Sequence, residues 1–254
     1  MTKYKFYDGK ELLHSSGFVR HWLVLILLFF SSVGYAEGLL PNNKDPLMFA
    51  GRSAQQAFNN NALVELLRAV NNHDAKTAKQ LIDSGVKVNT IGKDGATALI
   101  WMLGLGNLEA FRILLELGAN PNQYKPDGVG PPVWLSAGGG KREALQLLLE
   151  YGGDPNLVYG TNSPLMVAVN GSHLDCAELL LHYGANINYA DNGLSAIDVA
   201  DTFKDMLWVL NHGYTHNLQM ARKIVATRNR PGGEEHLKIE ALKIIDRLLE
   251  EQSK

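Results

Sequence analysis

Few residues in this chain have the types and spacing that chemistry requires, and the first candidate is a glycine-rich run before a lysine. Residues 138–141 read GGGK, which resembles a phosphate-binding loop at first sight. Such a loop needs Ser or Thr directly after the lysine and another glycine five residues before the last one. Arg142 and Leu135 occupy those two positions. The run is therefore interpreted as a turn between two helices.

Metal and nucleophile candidates are equally incomplete. His212 and His216 are four residues apart, but Gly213 lies between them at a helix end, and no carboxylate or cysteine completes a zinc-binding set. Cys176, the single cysteine, lies within an apolar stripe and is interpreted as a small core residue. The chain has no Gly-x-Ser-x-Gly nucleophile motif. The sequence therefore predicts a protein that is not an enzyme and has no cofactor and no metal site.

The charge pattern argues against a nucleic-acid ligand. The formal net charge of the 254 residues is −2, whereas nucleic-acid-binding domains carry a basic excess. One basic cluster precedes the acidic residues Glu234 and Glu235. It consists of Arg222, Lys223, Arg228 and Arg230. A solvated surface is the default interpretation of this cluster, and a docking patch is the alternative.

The elements that position these residues repeat along the chain. Five segments end in a glycine turn, with spacings of 33, 34, 32 and 29 residues, at Gly85, Gly118, Gly152, Gly184 and Gly213. An asparagine stands four residues after each of the first four glycines, at Asn89, Asn122, Asn156 and Asn188. A period in this range predicts short helix pairs that stack, because one pair cannot bury its apolar face alone.

Each of four units also opens with a recognisable helix start. The starts are Thr97-Ala98-Leu99, Pro131-Pro132-Val133, Ser163-Pro164-Leu165 and Ser195-Ala196-Ile197. A Ser or Thr in this position accepts a backbone N–H bond, and a proline next to it loses only an N–H that is unpaired in any case. The glycine that closes the second helix is expected to adopt a left-handed conformation.

This unit resembles the ankyrin repeat, most closely between Ser163 and Asn188, and the resemblance extends from Ala62 to about Gly213. It implies an all-α ankyrin-repeat solenoid of about five helix-turn-helix units with helical N- and C-terminal caps. The implied units are residues 62–93, 94–126, 127–160, 161–191 and 192–213. The histidine usual after the helix start is replaced by Ile100, Trp134, Met166 and Asp198. That change removes a hydrogen bond that ties adjacent tips in the family, so we expect looser units.

The first 36 residues are predicted to be a secretory signal. Residues 22–30 read WLVLILLFF, after a basic flank and before small residues at Gly34 and Ala36. The run is shorter than the ~20 apolar residues that cross a bilayer, and cleavage is expected after Ala36. A retained N-terminal anchor is the alternative. We therefore expect a periplasmic protein, with a minor cytosolic form if translation also starts at Met48.

The segments beside the repeats are predicted to be helical caps. The N-terminal cap covers residues 37–61 and the C-terminal cap covers residues 214–254. Helices are expected over residues 45–59, 216–227 and 234–251, the last two split by Pro231-Gly232-Gly233. Apolar residues on one face of the last helix indicate that it packs on the stack.

A partner-binding surface follows from the resemblance, since ankyrin stacks bind through the turn tips and the exposed side of the first helices. One column of first-helix residues is predicted to face that side: Arg68, Trp101, Leu135, Val167 and Val199. The predicted tip residues are Lys93, Asp94, Tyr124, Lys125, Asp127, Tyr159, Asn162, Tyr189 and Asp191. Aromatic tips can anchor a partner, and the apolar column suggests a patch that a partner covers. The alternative is that the column packs under the capping segments or neighbouring helices, as Tyr151 and Tyr183 are expected to pack before their turn glycines.

An exported ankyrin protein without enzymatic motifs is similar to the immunity proteins that accompany type VI secretion phospholipase or lipase effectors. The resemblance implies a protein that binds and neutralises such a toxin on the periplasmic side, with no nucleic-acid and no small-molecule partner. Two alternatives stay open: a periplasmic scaffold or protector of another enzyme, and a host-directed ankyrin effector. A cleavable signal argues against direct injection into a host.

Overall fold

The computed structural model describes residues 47–229 and 234–254, and most of these residues lie in short helices. The predicted signal over residues 1–36, the Pro231-Gly232-Gly233 break and Arg230 lie outside the described residues. The described helices are α1 Ala54–Phe58, α2 Asn61–Asn71, α3 Ala75–Asp83, α4 Ala98–Leu105, α5 Leu108–Glu116, α6 Pro132–Gly138, α7 Arg142–Glu150, α8 Pro164–Asn170, α9 Leu174–His182, α10 Ala196–Val199, α11 Phe203–Asn211, α12 Leu218–Thr227 and α13 Glu235–Gln252. The strands are β1 Met48–Phe49, β2 Arg52–Ser53, β3 Ala190–Asp191 and β4 Leu194–Ser195.

Consecutive helices pack as pairs, and each pair stacks on the next pair in chain order. α2 packs on α3, α4 on α5, α6 on α7, α8 on α9 and α10 on α11. The first helix of a pair also contacts the first helix of the next pair, as α6 does with α4 and α8. The second helices do the same, as α7 does with α5 and α9. This arrangement confirms the predicted all-α repeat solenoid.

The start and stop signals of the repeats act as predicted. Thr97 and Ser163 are N-caps, and each side-chain oxygen accepts the backbone N–H three residues on at 3.2 Å. Pro132 and Pro164 are the first residues of α6 and α8, where the missing N–H costs no helical bond. The five turn glycines all have left-handed φ angles, from 86° to 103°.

The residues that replace the usual histidine take other structural roles. Ile100 and Met166 are buried, so they add apolar contact inside the stack. Asp198 accepts from the backbone N–H of Ser195 at 2.9 Å and so completes the cap of α10. A tie between adjacent units therefore has to come from another residue.

That tie is the asparagine four residues after each turn glycine. Its side-chain amide donates to the turn-glycine carbonyl of the next repeat, and its side-chain oxygen accepts a backbone N–H there. For Asn156 the bonds run to Gly184 O at 3.0 Å and from Asn186 N at 2.8 Å. Asn89, Asn122 and Asn188 make the same two bonds to the units that follow them. Each asparagine thus fixes the register between two neighbouring repeats.

A second polar side chain stiffens the loop that carries each of the later asparagines. The backbone N–H of Asn156 donates to Asp154 Oδ1 at 2.8 Å, and Asn120 and Asn186 accept from Asn122 and Asn188 in the same way. Asn217 stands four residues after Gly213, a fifth member that the predicted pattern lacked. Its side chain accepts from Met220 N at 3.2 Å and caps α12.

The described part of the N-terminal cap begins with a β-hairpin. The helix predicted over residues 45–59 is therefore wrong over residues 48–53 and correct over Ala54–Phe58, and residues 45 and 46 lie outside the described residues. β1 and β2 pair antiparallel, and only α1 follows them. Ala50 and Gly51 have φ angles of 49° and 75°, a two-residue turn that reverses the chain. Ser53 then starts α1 through a capping box with Gln56. A form that starts at Met48, inside β1, would keep every repeat but would lack the buried residue Leu47.

The C-terminal cap has the two predicted helices, each within two residues of its expected bounds. α13 packs against α11 and α12. Its residues Ala241 and Ile245 are buried, and Leu237, Leu242 and Leu248 are partly buried against the same core. The predicted inward face of this helix is confirmed.

The asparagine bonds give a first prediction. Replacing Asn156 with Ala removes the donor to Gly184 O and the acceptor for Asn186 N, so we expect the free energy of unfolding to fall by about 1–3 kcal/mol. Urea denaturation followed by circular dichroism measures this loss. Asn211→Ala, at the exposed end of α11, is the control and should change stability by less than about 0.5 kcal/mol. Equal effects of the two changes would show that the bonds do not stabilise the stack.

Candidate protein-interaction surface

Four loops, each running from a second helix to the next first helix, carry the predicted tip residues. We name them finger 1, residues 86–96; finger 2, residues 119–130; finger 3, residues 153–162; and finger 4, residues 185–194. Their backbones are held by local bonds. In finger 1 Gly92 N donates to Ala96 O at 2.8 Å, and in finger 2 Gly128 N donates to Lys125 O at 2.8 Å. Finger 4 closes with the β3–β4 hairpin.

The predicted first-helix column is not an exposed apolar patch. Trp101 is only 4% exposed, and its ring lies edge-on to Phe49 and Phe58 with centroids 5.5 and 5.6 Å away. Its indole Nε1 donates to the carbonyl of Leu47 at 3.3 Å. The N-terminal cap therefore covers this residue, and the prediction of an exposed Trp101 is wrong.

The other apolar residues of the column are fully or partly buried by stacking between repeats. Leu135 is 2% exposed, in α6, which packs between α4 and α8, so its predicted exposure is also wrong. Val167 and Val199 are half-buried, and a Cβ added at Gly138 would lie 3.4 Å from Val167. Arg68 alone of the five is exposed, 3.8 Å from Glu65.

The predicted tip residues do lie on the fingers and reach solvent. Lys93, Asp94, Lys125 and Asp127 are exposed. Tyr124, Tyr159, Asn162, Tyr189 and Asp191 are half-buried. Lys125 Nζ lies 3.0 Å from Asp127 Oδ2, and this bond lowers the pKa of the Asp127 carboxyl. Charges of both signs therefore occur along fingers 1 and 2.

The aromatic residues of fingers 2 and 3 form one cluster. Tyr159 lies edge-on to Tyr124 and to Trp134, with ring centroids 5.9 and 5.4 Å apart. Its hydroxyl donates to Gly128 O at 2.5 Å, and burial, with a further effect of the Asp127 carboxylate, raises the pKa of Tyr159. Tyr159 therefore ties two fingers together.

Two exposed apolar residues on the fingers were missed by the sequence prediction. Ile91 in finger 1 is 41% exposed and Leu194 in finger 4 is 42% exposed. Each stands next to a finger glycine, Gly92 or Gly193, and an apolar residue beside a loop glycine could have indicated this exposure from the sequence. Tyr151 and Tyr183, predicted to pack, are instead 40% and 37% exposed at the ends of their second helices, so that prediction is wrong.

The residues considered for chemistry have structural roles. Gly138 ends α6 and residues 139–141 connect it to α7, which confirms the turn between two helices. His212 stacks on Trp208 with centroids 4.0 Å apart, and its Nδ1 lies 2.7 Å from the Trp208 carbonyl. Across residues 47–229 and 234–254, no group of three or more His, Cys, Asp or Glu side chains could hold a metal ion.

Two residues of the basic cluster near the C terminus form bonds within the fold. Arg222 Nε donates to Asp246 Oδ1 at 2.5 Å, which joins α12 to α13. Arg228 donates to the carbonyls of Asp198 and Ala200 at the end of α10. Lys223 is exposed. These bonds give Arg222 and Arg228 a structural role in the C-terminal cap. In the part of the chain that the structure covers, no helix combines the length and the apolar character needed to cross a bilayer.

The covered column changes what a substitution there would report. Trp101→Asp places a carboxylate among Phe49, Phe58 and Leu47, so we expect it to destabilise the fold by more than about 4 kcal/mol. Thermal unfolding followed by circular dichroism checks this. Trp101→Phe keeps an aromatic ring and should cost only about 1–2 kcal/mol. An unchanged melting temperature for the aspartate variant would contradict the burial described here.

Burial also determines the reactivity of the cysteine. Burial raises the pKa of the Cys176 thiol to about 12, so the thiolate that reacts with alkylating reagents is scarce near neutral pH. We expect iodoacetamide at pH 8 to modify the folded protein at least ~100-fold more slowly than protein in urea. Mass spectrometry over a time course measures both rates. Equal rates would show that Cys176 is accessible.

Comparison with known families agrees with this architecture. The family model for ankyrin repeats matches in three copies, over residues 66–158 and 125–191. No curated protein gives a significant match to the chain. The matched residues contain the helix pairs α4–α5, α6–α7 and α8–α9, fingers 1 to 3, and finger 4 as far as Asp191. The chain therefore carries ankyrin repeats, stacked as an all-α solenoid.

Proposed function

We propose that this protein is an immunity protein that binds and neutralises a phospholipase or lipase effector of a type VI secretion system. At a coarser level, the ankyrin repeats indicate a protein–protein interaction module. The finer proposal names the partner and the compartment, and it rests on the surface of the fingers together with the character of the N-terminal sequence.

The observation that carries the proposal is the row of fingers with exposed apolar side chains between charged ones. Ile91 and Leu194 are large and exposed on fingers 1 and 4, and Tyr124 lies on finger 2 between them. An exposed apolar surface rimmed by polar groups is typical of protein-binding sites, and a partner lying along the row of fingers would cover these separate side chains together. The backbone under them is held by the asparagine bonds, so little ordering entropy is lost when a partner binds.

A lipid-acting enzyme is a suitable partner for such a surface. An enzyme that works at a membrane has to present apolar surface to lipid, and that surface is open to a second apolar ligand when lipid is absent. Apolar fingertips flanked by Lys93, Asp94, Lys125 and Asp127 could cover it while charged pairs at the rim set the orientation. Inhibition by coverage needs no chemistry from the inhibitor, which suits a chain without a catalytic motif.

The compartment is part of the same proposal. Residues 22–30 form the apolar run of an export signal, and an inhibitor of a toxin that acts from the periplasmic side has to be exported to meet it. The proposal therefore combines export with binding through the fingers.

The test is toxicity rescue with a directed surface change. The first step is to look for a lipase gene beside this one. Its product is then sent to the periplasm of a test bacterium together with the protein, and survival is scored. We expect rescue by the unchanged protein and its loss with Ile91→Asp plus Leu194→Asp. Each change should cost about 2 kcal/mol of binding free energy, or roughly 30-fold in Kd, as measured by calorimetry on the purified pair.

The control is Ile239→Asp on α13, an isoleucine outside the fingers that is slightly more exposed than Ile91, and it should keep full rescue. Rescue that survives the paired finger changes would contradict binding through the fingers. Binding without any inhibition of the lipase would instead favour the scaffold function, and absence of binding would overturn the lipase as partner.

A further inference from the structure

The N-terminal hairpin lies over the first helix of the second repeat. β1 contacts α4, and Leu47, just before it, is buried there. The carbonyl of Leu47 accepts two N–H bonds, from Trp101 Nε1 at 3.3 Å and from Ala54 N at 3.2 Å. Residues 47–53 thus occupy part of the side of the stack where a partner of the first helices would bind.

The ring of Phe49 has a seat that requires a glycine. A Cβ added at Gly104 would lie 2.4 Å from two carbon atoms of the Phe49 ring. The other wall of the seat is the Trp101 ring, edge-on at a centroid distance of 5.5 Å. Gly138 is the corresponding residue one repeat later, and Val167 of the following repeat lies next to it. At Gly104 the hairpin fills the equivalent space.

Arg52 ties the other strand of the hairpin to finger 1. Its guanidinium Nη1 lies 2.5 Å from Asp94 Oδ2, and both side chains are more than half exposed. An ion pair with that exposure contributes no more than about 1 kcal/mol. The bridge therefore orients the hairpin more than it stabilises it. It also occupies Asp94, a residue predicted to bind a partner.

The turn of this hairpin carries a conformational cost. Ala50 has φ of 49° in a turn where both central residues have positive φ, and an alanine there costs about 1–2 kcal/mol. Finger 4 provides the comparison within the same chain: its two-residue turn is Asn192-Gly193, with φ of 49° and 80°, and asparagine tolerates this conformation. A two-stranded hairpin is marginally stable in any case.

From these observations we propose that residues 47–53 are a displaceable cover over a recognition cleft formed by Trp101, Gly104 and Asp94. The ligand of the cleft is a tight hairpin turn of a protein partner, in which an aromatic residue pairs across the turn with a basic residue three positions later, as Phe49 pairs with Arg52. The hairpin itself shows this chemistry, with Phe49 on Gly104 and Arg52 on Asp94. The inference rests on the proposed function for its premise that the ligand is a protein, and not on the partner being a lipase.

A cover in the same chain lowers the apparent affinity for such a turn by the fraction of molecules that are closed. Changes that loosen the cover should therefore strengthen binding, and changes that tighten it should weaken binding. Arg52→Ala removes the bridge to Asp94 but leaves Leu47 and Phe49 in place. Ala50→Asn gives the turn the sequence that finger 4 already uses.

The probe is a fluorescent synthetic peptide with the sequence of residues 47–53, LMFAGRS, followed by anisotropy on the whole purified protein. We expect Arg52→Ala to bind the peptide roughly 3- to 5-fold more tightly than the unchanged protein, and Ala50→Asn to bind it at least ~5-fold more weakly. A peptide with alanine in place of the phenylalanine should not bind. Equal affinities of the unchanged protein and the two variants for the peptide, or tighter binding by Ala50→Asn, would overturn the proposal.

Hydrogen exchange supplies a second measurement that does not depend on peptide affinity. If the cover opens by itself, the free energy of opening measured at the amides of residues 48–53 should be lower than that at the amides of α6 and α8. Ala50→Asn should raise the free energy of opening of residues 48–53. Exchange of both regions only through global unfolding would show that the hairpin is an integral part of the core. The peptide assay uses no lipase. Peptide binding together with a failure of toxicity rescue would therefore support the proposed cleft and contradict only the lipase as the partner.

Discussion

The rest of this molecule depends on one interaction, the hydrogen bonds from the side-chain carboxamide of one asparagine per repeat to the backbone of the next repeat. Because the carboxamide is both donor and acceptor, one side chain can satisfy a carbonyl and an N–H of the next unit at once. The bonds of Asn89, Asn122, Asn156 and Asn188 run in one direction along the stack. They set the spacing of the loops, and the loops present the exposed side chains.

This arrangement separates the residues that fold from the residues that can bind. Apolar first-helix residues such as Trp101 and Leu135 are buried by neighbouring elements, and Tyr159 joins two fingers. What remains accessible is a set of side chains held by a rigid frame, among them Ile91 and Leu194. Recognition through such residues needs few rearrangements, which fits a protein–protein interaction module.

The sequence was sufficient for the features that depend on local physics. The glycine period, the caps at Thr97 and Ser163 and the two C-terminal helices all follow from residues near one another in the chain. The exposure of Trp101 could not be predicted in this way, because it depends on a hairpin some fifty residues away and on a missing side chain at Gly104. The hairpin was hidden as well, since Ala50 is an unusual residue for its turn.

The change of partner at Asn217 has a consequence for the size of the solenoid. Its carboxamide oxygen faces Met220 N at the start of α12, whereas its four counterparts reach across to another unit. The series of bonds between repeats thus ends at Asn217. An asparagine in this position links two units elsewhere in the stack, but here its side chain caps the next helix. Lengthening this protein by one more unit would require releasing that terminus, which makes the number of repeats a property encoded at the junction itself.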